Sequence, residues 1–305
     1  MNVQQAHNQF IRECQDGTLK RRADATMQSY HESFRLLLKL FPVKMTEDLT
    51  EGILRQFLMR GERERGWKPG TIISYRKNLA PFFKWCVDRG HMPANPLEAI
   101  PTPPLIKNLP EFYSQSEMES IMYHVNMAAK TDLERVRNVA MFGVMAMAGL
   151  RKGELLGLRV TDLDFENGVI RIRAETSKSR TARSVPICFR LRELLERYLR
   201  EREKHRVETI WLWVSYHGRT RFTANGLKHL TRHISERSGI RIKPHKFRHT
   251  FATQTYMGSS DIIAVQRALG HKEITTTMIY TQVNQKQVHA SIEKNPKNKF
   301  FNKIR

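Results

Sequence analysis

The hydrophobic residues of the N-terminal third recur at helical spacing in three stretches. The first stretch ends at Pro42 and has an apolar face made of Tyr30, Phe34, Leu37, Leu38 and Phe41. Thr50 is expected to cap the second helix, and a Pro-Gly turn at 69–70 opens the third, which Pro81 is expected to kink. Residues 1–22 are polar and end in Lys20-Arg21-Arg22, and we expect them either to be partly mobile or to contact DNA. We therefore predict a small helical domain preceded by a polar arm.

A second pattern begins beyond Pro101-Thr102-Pro103-Pro104, which is typical of a stiff linker. Ser114 or Ser116 is expected to cap a helix through Met122, and Gly149 to end a helix over 132–148. Apolar and polar residues alternate along 169–173 and 183–187, which predicts two antiparallel strands. A short buried segment is expected at 211–214, among further helices. The pattern predicts a mainly α fold with a small antiparallel β-sheet, divided into domains at 1–104 and 105–305.

The charge balance indicates a polyanionic partner. Lys and Arg number 52 against 30 Asp and Glu, which gives a net charge of +22. Segment 1–104 has 16 basic and 11 acidic residues, and segment 105–305 has 36 and 19, so the larger domain is expected to make most of the contacts. Arg76, Lys77 and Lys84 extend from the third helix, either as solvated surface or as DNA contacts.

Cysteine usage and hydropathy favour a reducing, cytoplasmic location. Cys14, Cys86 and Cys188 are scattered, with no CxxC spacing and no disulfide framework. The N-terminus has no apolar signal core, and the longest uncharged apolar run, 139–150, is too short to cross a bilayer. Neither an HExxH motif nor a close set of carboxylates predicts a metal site.

Several chemically capable residues follow one another in a fixed order. Arg151 lies in Gly149-Leu150-Arg151-x-x-Glu154-Leu155, and the second motif runs His245-x-x-Arg248-His249-Thr250-Phe251-Ala252-Thr253. His271 follows in Leu269-Gly270-His271, and Tyr280 comes nine residues later. Each element alone is more often structural. Guanidinium forks nevertheless suit phosphate oxygens, and a phenol can act as a nucleophile.

Taken together, these motifs resemble the tyrosine recombinase family, the phage-type integrases and Xer-like site-specific recombinases. The resemblance covers most of the chain, with specific motifs in the C-terminal part and similarity of pattern alone in the N-terminal part. It implies a helical core-binding (SAM-like) DNA-binding domain at 1–104 and a catalytic domain with a C-terminal tail at 105–305. The family position occupied by Phe247 often holds leucine.

The resemblance also implies roles for individual residues. Tyr280 would attack the scissile phosphate and form a 3′-phosphotyrosyl bond, while Arg151, Arg248 and His271 would stabilise the transition state. Lys178 precedes Val185-Pro186 in the loop between the two strands and would protonate the leaving 5′-oxygen. His245 would assist as a general base. Arg180, Arg183 and Lys246, beside these motifs, are further candidate DNA contacts.

The expected activity is DNA cutting and rejoining without metal, ATP or another cofactor. The expected partners are double-stranded DNA with inverted-repeat core sites and three further copies of the chain, in a tetramer with one dimer on each site. A nucleoid-associated cytoplasmic location would follow. Two alternatives stay open: a DNA-binding regulator with a vestigial site, and a related type IB-like enzyme that relaxes or resolves DNA ends.

Overall fold

The structure is a computed structural model that describes residues 1–20, 22–105, 110–177, 180–215, 220–271 and 273–283. The chain forms two compact units, Met1–Lys107 and Asn108–Arg305. Both units are mainly helical, and the second contains one small antiparallel sheet. This confirms the predicted fold class. None of the helices in the described ranges combines the length and apolarity that a membrane crossing requires.

The N-terminal unit is a bundle built on an aromatic core. Its helices are α1 (Val3–Asp16), α2 (Asp24–Leu40), α3 (Glu51–Arg65) and α4 (Pro69–Asp88). Thr50 caps α3 as predicted, because its hydroxyl accepts a hydrogen bond from the backbone N–H of Ile53. Pro81 lies inside α4. The core packs aromatic rings from all four helices, among them Phe10, Tyr30, Phe34, Phe57, Phe82 and Trp85.

Helix α1 corrects the prediction of a polar arm at residues 1–22. Asn2 caps it by accepting hydrogen bonds from the backbone N–H groups of Gln4 and Gln5. Its inner face includes His7, which stacks on Phe34 with ring centroids 3.9 Å apart, and neither ring nitrogen of His7 has a hydrogen-bond partner among the residues that the structure describes. Burial, aided by the charge of His31, lowers the pKa of His7 to about 4. A count of apolar residues misses this face because a histidine and Glu13 occupy part of it.

The C-terminal unit surrounds its sheet with helices. These are α5 (Gln115–Met127), α6 (Asp132–Ala148), α7 (Lys152–Leu156), α8 (Phe189–Lys204), α9 (Ala224–Ser238), α10 (Pro244–Ser259) and α11 (Ile262–Leu269). The strands β1 (Leu163–Asp164), β2 (Val169–Ile172) and β3 (Arg183–Pro186) lie in that order. Ile170 pairs with Val185, and both side chains are buried in the core.

Helix boundaries in this unit agree closely with the sequence. Ser114, one of the two predicted caps, begins α5, which continues to Met127 rather than Met122. Helix α6 occupies 132–148 as predicted and ends at Gly149, where φ is +58°. A Cβ at Gly149 would lie 2.4 Å from Cδ1 of Phe251, so both backbone conformation and space require glycine there. The chain thus turns sharply, directly before Arg151.

Candidate active site

Arg151 is the N-cap residue of α7, immediately beyond the turn at Gly149. Its backbone N–H and its Nη1 both donate to the Glu154 carboxylate at 2.9 Å. The Arg151 side chain is 21% exposed, whereas the Glu154 side chain is fully buried. The loop therefore presents one guanidinium towards solvent while a buried carboxylate holds it from behind.

A second arginine, Arg183, binds the same carboxylate from β3. Its Nη1 and Nη2 donate to the two Glu154 oxygens at 2.9 and 2.8 Å, and its Nε donates to the Ala268 carbonyl at 3.1 Å. Burial alone would raise the pKa of Glu154. Hydrogen bonds and charge from Arg183, together with the hydrogen bonds from Arg151, outweigh burial and lower it to about 2. Glu154 is consequently ionised at neutral pH.

Arg248 lies in α10 and connects two loops of the site. Its Nη1 donates to the Gly149 carbonyl at 2.8 Å and its Nη2 to the Leu269 carbonyl at 2.7 Å. These carbonyls lie two residues before Arg151 and His271, respectively. Burial, followed by repulsion from Arg151, lowers the pKa of Arg248 to about 10. Arg248 remains charged at pH 7 and fixes the backbone on both sides.

His271 follows the left-handed turn at Gly270, where φ is +66°. Its Nδ1 lies 2.9 Å from the Thr277 hydroxyl, and its backbone carbonyl accepts from the side chain of Gln266. Burial, and then the charges of Arg248 and Arg151, lower the pKa of His271 to about 4. His271 is therefore neutral at pH 7, and positive charge beside it comes from arginine.

Tyr280 lies in a 3₁₀ segment, Met278–Val283, with its side chain 2% exposed. It packs with Ala252, Val265 and Leu269. Its hydroxyl lies 2.8 Å from Nδ1 of His249. Burial raises the pKa of the Tyr280 hydroxyl, and the charge of Arg248 opposes that shift.

His249 is the residue of this site to which sequence reasoning assigned no role. It directly follows Arg248 in the second motif and lies one helical turn beyond His245. Burial, and then the charges of His245 and Arg248, lower the pKa of His249. The motif identified the histidine, but its contact with Tyr280 depends on how the 3₁₀ segment packs against α10.

The remaining predicted catalytic residues are placed less completely. His245 is exposed in the first turn of α10, which Pro244 opens. Lys178 lies outside the described residues, so its predicted role as the acid stays a prediction. The described residues hold no group of three or more His, Cys, Asp or Glu side chains arranged to bind a metal.

The six predicted DNA contacts divide into two groups. Lys77, Lys84 and Arg180 are exposed, and Lys84 pairs with Asp88 at 3.1 Å. For these three, a DNA contact stays a prediction.

The other three turn towards the protein. Arg76 donates to the Leu97 carbonyl, Lys246 lies over the ring of Tyr113, and Arg183 binds Glu154. The Arg183 side chain is 9% exposed, and for all three residues a DNA contact stays a prediction.

The site therefore gathers residues from four segments: the N-cap of α7, the start of β3, helix α10, and the chain from α11 to Val283. Arg151, Arg183 and Arg248 carry three positive charges around the single negative charge of Glu154. The resulting net charge of about +2 favours an anion. The buried phenol lies close enough for its pKa to respond to Arg248. Arginine forks beside a tyrosine define a site suited to phosphoryl transfer through a covalent intermediate.

Comparison with known proteins places this site in a family. Residues 111–287 match the phage integrase family. Tyrosine recombinase XerC of Proteus mirabilis is 28% identical over 269 residues, which span 87% of this chain and 85% of that protein. Tyrosine recombinase XerD of Listeria monocytogenes is 31% identical over 229 residues, 72% of this chain and 74% of that one.

Solved structures with the same fold include recombinases bound to DNA. A XerH site-specific recombinase on a palindromic difH substrate, in a post-cleavage complex, has a TM-score of 0.68 at 23% identity over 94% of this chain and 84% of that one. A lambda integrase dimer on a COC′ core site has a TM-score of 0.68 at 18% identity over 90% and 97%. The chain belongs to the phage integrase family of tyrosine recombinases. It is a site-specific recombinase, an enzyme that transfers DNA strands.

Proposed function

We propose that the chain cuts and rejoins DNA through a 3′-phosphotyrosyl bond to Tyr280, releasing a 5′-hydroxyl at each cut. The convergence of Arg151, His271 and Tyr280 around Arg248 carries the proposal. The covalent bond conserves the phosphodiester energy, so a second 5′-hydroxyl can reseal the strand without ATP. In the closing step the 5′-oxygen attacks phosphorus, and the tyrosine oxygen leaves.

The main task of the arginines is to stabilise the negative charge on the non-bridging phosphate oxygens. Arg151 reaches solvent from the N-cap of α7. The buried Arg248 adds positive charge while it holds the Gly149 and Leu269 carbonyls. A preorganised cation needs little rearrangement as charge develops in the transition state. When the Thr277 hydroxyl donates to Nδ1, neutral His271 carries its proton at Nε2, where it can donate to a phosphate oxygen.

The nucleophile must move before it reacts. The Tyr280 hydroxyl is buried and hydrogen-bonded to His249, where a phosphodiester has no access to it. Reaction therefore requires the 3₁₀ segment to shift so that the hydroxyl leaves His249 and meets the phosphate. His245, at the exposed start of α10, serves as the base, and Lys178 as the acid for the 5′-oxygen.

The partner is double-stranded DNA, as in the difH and COC′ complexes of the structural relatives. The net charge of +22 supports this, because cationic side chains displace condensed counterions from DNA. The N-terminal unit acts as the core-binding domain and the C-terminal unit as the catalytic domain. Each inverted-repeat core site binds one dimer of the protein, and the dimers on two sites associate into a tetramer. This assembly acts in the cytoplasm, at the nucleoid.

Covalent trapping tests the proposal. A suicide duplex would carry the core site that the chain selects from a randomised DNA library, with a nick that prevents resealing. Wild-type protein should form an adduct that survives a denaturing gel, and Tyr280→Phe should bind normally but form none. Tyr256→Phe is the matched control, because Tyr256 packs in the same cluster. An adduct that persists in Tyr280→Phe overturns the assignment, and a wild-type protein that binds without any adduct is the expectation for a vestigial regulator.

A further inference from the structure

Arg183 links the two segments of the site that carry Arg151 and His271. Its fork binds both oxygens of Glu154, and its Nε binds the Ala268 carbonyl, three residues before His271. Three N–H donors of one side chain therefore have protein acceptors at hydrogen-bond distance. A residue used in this way orders its neighbours rather than a ligand.

The turn that carries His271 is built directly over this side chain. A Cβ at Gly270 would lie 2.7 Å from Cδ and 3.0 Å from Nε of Arg183. Gly270 also has a positive φ, so two independent constraints favour glycine. The close approach fixes the height of the turn above Arg183, and through it the position of His271.

At its other end, Arg183 determines how much charge Arg151 can offer. Glu154 is buried and ionised, so it needs a cation. With Arg183 present, one carboxylate is shared by two guanidinium groups, and a net positive charge remains. Without Arg183, Glu154 and Arg151 would form a neutral pair, with the Arg151 fork drawn inwards and away from solvent. Arg183 thus neutralises Glu154, so that Glu154 can orient Arg151 without cancelling its charge.

We propose that Arg183 is a positioning residue of the recombinase: through Glu154 it keeps the Arg151 guanidinium directed at the scissile phosphate, and it does not itself contact DNA. The inference rests on the proposed role of Arg151. It differs from a simple phosphate contact in a measurable way. A lost phosphate contact weakens binding and lowers the salt dependence of the binding constant by about one unit of slope, whereas a lost positioning residue slows cleavage and leaves both unchanged.

A double-mutant cycle on the suicide duplex tests this. Arg183→Met should bind DNA within about twofold of wild type and with the same salt slope, but cleave about 100-fold more slowly, in the range seen when one transition-state donor is lost. Once Glu154→Gln has removed the negative charge, Arg183 has no carboxylate left to neutralise. The double variant Glu154→Gln with Arg183→Met should therefore cleave within about threefold of Glu154→Gln alone.

Two matched variants complete the design. Arg171 lies in the adjacent strand β2, and its side chain is 58% exposed and paired with Asp164. The variant Arg171→Met should therefore cleave at the wild-type rate. Arg183→Lys keeps a charge without the fork and should cleave at a rate between those of wild type and Arg183→Met. Should Arg183→Met fold poorly, the comparison of the double variant with Glu154→Gln still decides, since the double variant leaves no unpaired buried carboxylate.

The outcomes distinguish a failure of the positioning role of Arg183 from a failure of the proposed function. Weaker binding with a smaller salt slope, or an additive 100-fold loss in the double variant, would overturn the positioning role of Arg183. Full cleavage by Arg183→Met would also overturn it. A wild-type chain that forms no Tyr280 adduct would instead overturn the proposed function, independently of Arg183.

Discussion

Arg248 and Arg151 should differ sharply in what they contribute to folding, although both are proposed to serve the same phosphate. Arg248→Met keeps much of the side chain's volume but removes both donors to the Gly149 and Leu269 carbonyls. Arg151→Met removes one partly exposed ion-pair partner of Glu154, which keeps Arg183. We expect Arg248→Met to destabilise the C-terminal unit and Arg151→Met to leave its stability nearly unchanged.

Two opposing terms set the size of the effect. Hydrogen bonds from a charged donor contribute about 1.5–3 kcal/mol each, so two contribute about 3–6 kcal/mol. Against this, the pKa of Arg248 is lowered from 12.5 to about 10, which corresponds to a cost of about 3 kcal/mol for holding the charge in this site. The net loss in Arg248→Met is therefore on the order of 2 kcal/mol. For Arg151→Met, a partly exposed pair predicts less than about 1 kcal/mol.

Hydrogen exchange measured by mass spectrometry can report the stability of the C-terminal unit separately from that of the N-terminal unit, and so can compare the two variants. A loss of about 2 kcal/mol corresponds to roughly 30-fold faster exchange of the slowest amides in α6 and α10. Amides of α4, in the other unit, provide an internal control and should not change. Equal protection of α6 and α10 in both variants would refute the reasoning, because Arg248 would then hold nothing that Arg151 does not.

Two further predictions concern the leaving group and the N-terminal core. Lys178→Ala should cleave normal DNA about 10²–10⁴-fold more slowly and be rescued by sulfur at the 5′-bridging position, because a thiolate leaves without a proton. Arg151→Ala should show no rescue, and an unrescued Lys178→Ala would remove Lys178 as the acid. Since folding lowers the pKa of His7 from 6.5 to about 4, stability is fully present above pH 6.5 and falls by up to about 3 kcal/mol as the pH drops to 4. His7→Phe should reduce this acid sensitivity in a thermal melt of the full chain, and an unchanged pH profile would contradict it.

Much of the fold was predictable because local signals and tertiary packing agree. Gly149 ends α6 where the periodic pattern stops, Thr50 caps α3, and β2 and β3 pair through their alternating residues. The order of motifs also marked the segments that form the site. In each case the information lies within a few neighbouring residues, which is the range that periodicity and capping can report.

What the sequence could not reveal depends on the direction of single side chains. Arg183 was predicted to contact DNA with Arg180, yet its side chain turns inwards and binds the buried carboxylate of Glu154, 29 residues earlier in the chain. The contact of His249 with Tyr280 joins residues 31 positions apart. Strand β1 has two residues and shows no periodicity to detect. Such pairings become visible when the helices and strands are placed in space.

The burial of Tyr280 determines how often its hydroxyl is accessible for reaction. Exposing the aromatic side chain costs about 1.5–3 kcal/mol, and breaking its hydrogen bond to His249 costs about 1 kcal/mol. A two-state balance of that size leaves the hydroxyl accessible in about 1% of molecules or fewer. During a random encounter with a chromosome, a basic protein of this kind therefore binds many phosphates and nicks almost none. The fraction of molecules with an exposed Tyr280 hydroxyl thus limits unwanted cleavage of the genome. That fraction rises only in a correctly assembled complex with DNA, which favours the exposed state.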